Sequence, residues 1–194
     1  MRKTTKTVGV FAAAAVMLAA GLSPAMAATV DTTSTVTGGA LSSTVAGATL
    51  TGVTLDGSNT KTATGTSSEW SLIDARGTGA VWALTVTATA PTSAAGTVET
   101  VARTIPVGSL AITPGTVTAA TGSDSATGIT ADPLAMSGAA QTLVSATIDH
   151  KGTYTLTPSF TLAIPAKTYR SNYTDAVGSS TLKPYISTIT YTLG

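Results

Sequence analysis

The chain has 194 residues, 43% of them hydrophobic and only 10% charged, with no cysteine and a formal net charge of +1. That balance excludes disulfides, a lipid-modified cysteine and thiolate metal sites, and it offers no clustered basic patch for nucleic acid. Soluble domains usually carry roughly 25% charged residues; here threonine stands in their place, 42 in all, solvating a surface without charge and favouring strands through its branched Cβ.

The chain opens with MRKTTKTVGVFAAAAVMLAAGLSPAMA: a basic start (Arg2, Lys3, Lys6), an apolar run from Val8 to Leu22, then Ala25-Met26-Ala27. This order is that of a secretory signal peptide, residues 1–27, cleaved after Ala27. The apolar run is shorter than the ~20 residues of a membrane helix. Without the three leading cations, residues 28–194 hold seven basic and nine acidic side chains, a formal charge of −2. No later segment has the apolar length of a membrane helix. The processed protein is therefore expected outside the cell and not membrane-spanning.

Residues 28–194 predict one all-β domain, sandwich- or barrel-like, of mainly antiparallel strands. VDTTSTVTG, ATLTGVTLDG, WSLIDARG, AVWALTVTA, ARTIPVGSLAIT, GTVTAA, TLVSATID, GTYTLTPSFTLAIP and STITYTLG read in chain order as strands or strand pairs between Gly, Ser, Pro and Asp turns. Their spacing is that of a sandwich or barrel. The turn-rich interval from Ala119 to Ala140 reads as a loop. Period two places Trp82, Leu84, Val86 and Ala88 on one strand face, with Ala83, Thr85, Thr87 and Thr89 on the other. Ile189, Tyr191 and Leu193 share a face in the last strand, and Tyr154 with Leu156 repeat the aromatic-x-Leu pair.

Catalytic and metal chemistry find little support. The single histidine, His150, follows Asp149, and no serine sits in a strand–turn–helix elbow, so His150 reads as a solvent-facing turn residue. One histidine and no cysteine exclude most zinc arrangements. DGSNT and TGSDSATG offer oxygen ligands but too few carboxylates for a calcium loop. Asp74 and Arg76 read as a turn-stabilising surface pair. No enzyme, cofactor or metal site is expected.

Two stretches carry a family resemblance. DARGTGAVWALTVTA, Asp74 to Ala88, is similar to the first motif of the WxL domain, a cell-surface module of Gram-positive bacteria. There a D-x-R-G-T-G-type turn, here Asp74, Arg76, Gly77 and Gly79, leads into a strand carrying Trp-x-Leu, here Trp82 and Leu84. LVSATIDHKGTYTLTPSFTLAIPAKTYRSNYT resembles the stretch before the family's final strand, where a second Trp-x-Leu is expected; this chain has Tyr191 and Leu193. Tyr191 keeps an aromatic ring but drops the indole N–H. The earlier Trp70-Ser71-Leu72 precedes the turn and is not equated with the motif.

The resemblance implies non-covalent attachment to peptidoglycan or another wall glycan, in company with other WxL-type or membrane-tethered surface proteins. Neither a sortase signal nor a C-terminal membrane tail is expected, which agrees with attachment by surface contacts. Trp82, Leu84, Tyr191 and Leu193 are the candidate ligand-binding residues, since an aromatic ring beside hydroxyls suits a sugar. Two readings of Trp82 stand side by side: a core residue on the buried face of its strand, or a ring presented to the ligand. The alternative function is structural, a subunit of a secreted layer or fibre assembled through exposed strand edges.

Overall fold

The computed structural model describes residues 31–194; the signal-peptide reading falls on residues 1–27, outside them. The folded body is Thr37–Gly194. It is all-β, and every strand pairing within it is antiparallel. Among the described residues are fifteen strands and a single 3-10 turn. Strands β1 (Leu41–Thr44), β3 (Trp70–Asp74), β12 (Gly152–Leu156) and β8 (Thr118–Ala119) form one sheet in that order. A second runs β10 (Leu134–Ala135), β7 (Leu110–Thr113), β13 (Ser159–Ile164), β2 (Lys61–Thr66). A third runs β15 (Ile189–Leu193), β4 (Trp82–Ala88), β11 (Gln141–Ala146), β9 (Ile129–Ala131). A small ribbon joins β14 (Tyr185–Ile186), β5 (Thr92–Ser93) and β6 (Arg103–Thr104).

Alternation dictates which side chains enter the core. In β4 the expected set, Trp82, Leu84, Val86 and Ala88, is buried while the intervening threonines stay partly exposed. In β3 the same period buries Trp70, Leu72 and Asp74, and in β12 Tyr154 and Leu156. These residues meet Ile112, Leu143, Val144, Phe160 and Leu162 in one hydrophobic cluster that unites the three larger sheets. Strand β11 breaks the period: Thr142 faces Thr85 and Val144 faces Leu84, leaving Leu143 as the extra residue of a β-bulge. Leu143 and Val144 are consequently both buried.

Three expectations need correction. The interval from Ala119 to Ala140 is not one loop, because β9 and β10 lie inside it and pair with β11 and β7. Neither of the first two expected strands forms where the Thr-rich pattern put it. The first strand is Leu41–Thr44, and residues 45–55 run without ladder pairing across β2. KTATGT, which lies outside the expected strands, is β2 itself, paired along its whole length with β13. Segment 45–55 reaches β2 through the Thr51 N–H donating to the Thr64 carbonyl (2.8 Å) and the Thr64 N–H to Thr51 Oγ1 (3.1 Å).

Candidate functional site

The four residues expected to touch a ligand lie on two paired strands, β4 and β15. Leu193 faces Leu84 and Tyr191 faces Val86 across the ladder. Trp82 is only 3% exposed and Leu84 fully buried, so neither offers a surface to a ligand. The Trp82 ring packs against Tyr154 with centroids 5.8 Å apart, and its Nε1–H donates to the His150 carbonyl (3.1 Å). Trp70 is buried in the same way, donating to the Ala46 carbonyl and Ser67 Oγ, both at 2.9 Å. Tyr191 meets the Trp70 ring edge to face at 4.8 Å.

The Asp74–Gly79 turn is a self-contained clamp. Asp74, 2% exposed, accepts the Arg76 N–H and Nε–H through Oδ1 (both 3.0 Å) and Nη2–H through Oδ2 (2.9 Å). Arg76 Nη2 also donates to the carbonyls of Ala80 and Val81. The guanidinium holds the Asp74 carboxyl below its ordinary pKa. The pair is thus not a simple surface contact: its carboxylate is buried, and it ties the end of β3 to the approach to β4. Gly77 and Gly79 adopt φ of 70° and 66°, the left-handed region the reversal needs. Gly79 also receives the Asp149 N–H on its carbonyl (2.9 Å), joining this turn to the one that carries His150.

His150 is buried at 7% exposure, not solvent-facing. Its Nε2 lies 2.9 Å from the Thr127 carbonyl oxygen and its Nδ1 2.9 Å from that of Ile148. With the Thr147 carbonyl also 3.2 Å from Nδ1, carbonyl acceptors at both ring nitrogens favour the doubly protonated imidazolium, the Thr127 carbonyl having the largest influence, and the pKa is raised. A raised folded pKa means this contribution to stability is complete below the ordinary value of 6.5 and lost as pH climbs through the folded value. The melting temperature should therefore fall as pH rises above 6.5. His150→Gln should remove that slope in a pH series of thermal melts; an unchanged slope would assign it to another group.

A cleft of about 870 Å³ opens beside β15. Its floor is apolar, with Ile105, Leu110, Phe160 and Leu162 rising from the core. Residues 47–55 form one wall, and the stretches 168–171 and 184–187 contribute the other. Hydroxyls of Thr49, Thr51, Thr54, Thr168, Ser171 and Ser187 and three tyrosines, Tyr169, Tyr185 and Tyr191, complete it. Tyr191 is the one expected ligand-binding residue that lines this cleft; Trp82, Leu84 and Leu193 do not. Its hydroxyl is buried without a hydrogen-bond partner, and burial pushes its pKa well up. Tyr185 donates to the Tyr169 carbonyl (2.8 Å), while Tyr169 as a residue is 70% exposed.

The 47–55 wall depends on Gly65, in the middle of β2. A Cβ there would collide with the Thr49 carbonyl oxygen and come within 2.9 Å of Leu50 Cδ2. Gly65→Ala should push this wall off the sheet, costing about 1–3 kcal/mol. Proteolysis should then cut within 47–55 while the rest of the fold stays resistant; equal resistance in the two proteins would show that the wall absorbs the methyl.

Sequence reasoning gave Tyr169 and Tyr185 no role and read 48–57 as a strand, because only the fold brings these segments to one cleft. Among the described residues no group of histidines or acids could hold a metal ion, and no helix is long and apolar enough to cross a membrane. In comparisons with known proteins, the chain matches no family model, no curated protein and no solved structure.

Proposed function

We propose that this is a secreted, WxL-like cell-surface protein that attaches non-covalently to the Gram-positive cell wall, with peptidoglycan seated in the cleft beside β15. The observation that carries this reading is the lining of that cleft: three tyrosines and six hydroxyl side chains over an apolar floor. Sugar C–H faces stack on aromatic rings, hydroxyls bond to hydroxyls, and the floor accepts the methyl groups of attached short peptides. Tyr191 is half-buried and gives the cleft the accessible part of its ring, while its hydroxyl is held in the core. Relative to the resemblance, the contact moves from the tryptophan of the first motif to the tyrosine of the second.

Co-sedimentation of the secreted protein with purified peptidoglycan tests this. Wild type should pellet with the wall material, and Tyr169→Ala should weaken binding with its melting temperature preserved, because that ring is mostly in solvent. Tyr191→Phe should hold or raise the melting temperature, since it deletes an unsatisfied buried hydroxyl, and should bind as wild type does, since the ring that lines the cleft is kept. Wild type remaining in the supernatant would end the wall-binding reading.

One observation favours a second reading, assembly through strand edges. Ala83 and Gly194 bond reciprocally at 2.7 and 3.0 Å, so Ile189, Tyr191 and Leu193 turn their N–H and C=O groups away from β4. Strand β15 ends its sheet, and those groups bond to no backbone among the described residues. Concentration-dependent oligomers in light scattering, without wall material, would support assembly over attachment.

A further inference from the structure

Resting on the wall-binding reading, we propose that the cleft selects a carboxylate-bearing glycan and that the carboxylate seats at its Arg170 end. Arg170 is the sole charged residue among those lining the cleft. Its environment makes it a prepared cation. Glu99 accepts four hydrogen bonds: Oε1 from Arg103 Nη2 (2.9 Å) and Arg170 Nη2 (2.8 Å), Oε2 from Arg170 Nη1 (2.8 Å) and the Tyr173 N–H (2.7 Å). That carboxylate is saturated, and two guanidinium groups share its single negative charge. One positive charge is left over.

The two arginines are also held in orientation. Arg103 lies over the Tyr169 ring at 4.8 Å and Arg170 over the Tyr173 ring at 4.6 Å. Arg170 spends its end-on pair of nitrogens on Glu99 and a further Nη1–H on the Ser171 carbonyl. Its side-on fork, Nε–H and the second Nη2–H, has no acceptor among the described residues, and its side chain is 41% exposed. Two parallel N–H donors of this kind match the two oxygens of a carboxylate.

The distribution of charge along the chain points the same way. Residues 99–103 and 167–183 hold Arg103, Lys167, Arg170 and Lys183 against Glu99 and Asp175, a net +2. The remainder of residues 28–194 holds Lys61, Arg76 and Lys151 against seven acids, a net −4. Those three cations are each paired, with Asp56, Asp74 and Asp124. Lys167 and Lys183 pair with no carboxylate among the described residues, and they adjoin Thr168 and Pro184 of the cleft wall. An acidic protein thus concentrates its unpaired positive charge around one cleft, which would draw an anionic polymer to it.

The test is sedimentation of the secreted protein with three forms of one peptidoglycan: untreated, stripped of phosphate polymers by hydrofluoric acid, and stripped then amidated at its carboxylates with carbodiimide and ammonia. Binding should survive stripping and fall about tenfold or more on amidation, the loss of one charge-assisted contact. It should also weaken as salt rises from low ionic strength. Arg170→Lys, which keeps the charge and loses the fork, should bind untreated and amidated material alike. The Lys167→Gln/Lys183→Gln double variant, altering unpaired side chains, should weaken binding at an unchanged melting temperature. Binding that persists after amidation overturns this proposal alone, and binding lost on stripping replaces the carboxylate with a phosphate. Absence of binding to untreated peptidoglycan overturns the wall-binding reading itself.

Discussion

Replacing Trp82 with alanine should lower the stability of the whole domain by about 3–5 kcal/mol. For a domain of this size that is a fall in melting temperature of about 10 °C or more. The indole is 3% exposed, sits against Tyr154, and bonds through its nitrogen to the His150 carbonyl. Truncation empties a large volume between β4 and β12 and leaves that buried carbonyl without its donor, so a cavity cost and a lost hydrogen bond add. Trp82→Phe separates the two, since it refills most of the volume but supplies no N–H; its loss should be markedly smaller. Thermal melts followed by circular dichroism measure both. A variant that melts like wild type but no longer binds wall material would make Trp82 a contact residue after all. Trp82 is thus expected to act on binding only through the fold that supports β15.

The second large effect concerns acid. The Arg170 guanidinium, with the Tyr173 N–H beside it, holds the Glu99 carboxyl at about 2, against an ordinary 4.5. A depressed folded pKa stabilises the native state above the ordinary value, and that contribution drains away as pH falls from 4.5 towards 2. Asp56, Asp74 and Asp124 are depressed too, so wild type should show a steep acid limb. Glu99→Gln should melt lower than wild type at neutral pH and lose part of that limb, because two arginines keep their charge and lose the carboxylate they share. Protease cleavage should appear first near residues 94–103 and 169–175, which Glu99 joins through Arg103, Arg170 and Tyr173. Identical acid profiles for the two proteins would assign the limb to the aspartates.

How far the sequence revealed this molecule follows from the range of the interactions involved. The faces of β4, β12 and β15 were legible because alternation is a local signal, and Trp82, Leu84 and Val86 lie where period two puts them. Strand β2 was not, since KTATGT has no large apolar residue and becomes a strand only by pairing with β13. The Leu143 bulge was equally hidden: an extra residue depends on the partner strand's register. His150 was misread because its burial is decided by the carbonyls of Thr127 and Ile148, one of them far away in sequence. The candidate site suffered most. Glu99 and Arg170 are 71 residues apart and Tyr191 further still, so only folding brings the charged corner and the aromatic wall to one cleft.

The bond between the Trp82 indole and the His150 carbonyl has an optical consequence. It fastens an intrinsic fluorophore to the backbone of the residue whose protonation is tied to the carbonyls of Thr127 and Ile148. Trp70 lies elsewhere in the core, against Ser67 and Tyr191. A Trp70→Phe protein would therefore carry a single emitter, and its emission across neutral pH would trace the charge state of His150 with no label attached. The tryptophan that stood between core residue and ligand contact becomes an internal indicator for the histidine behind it.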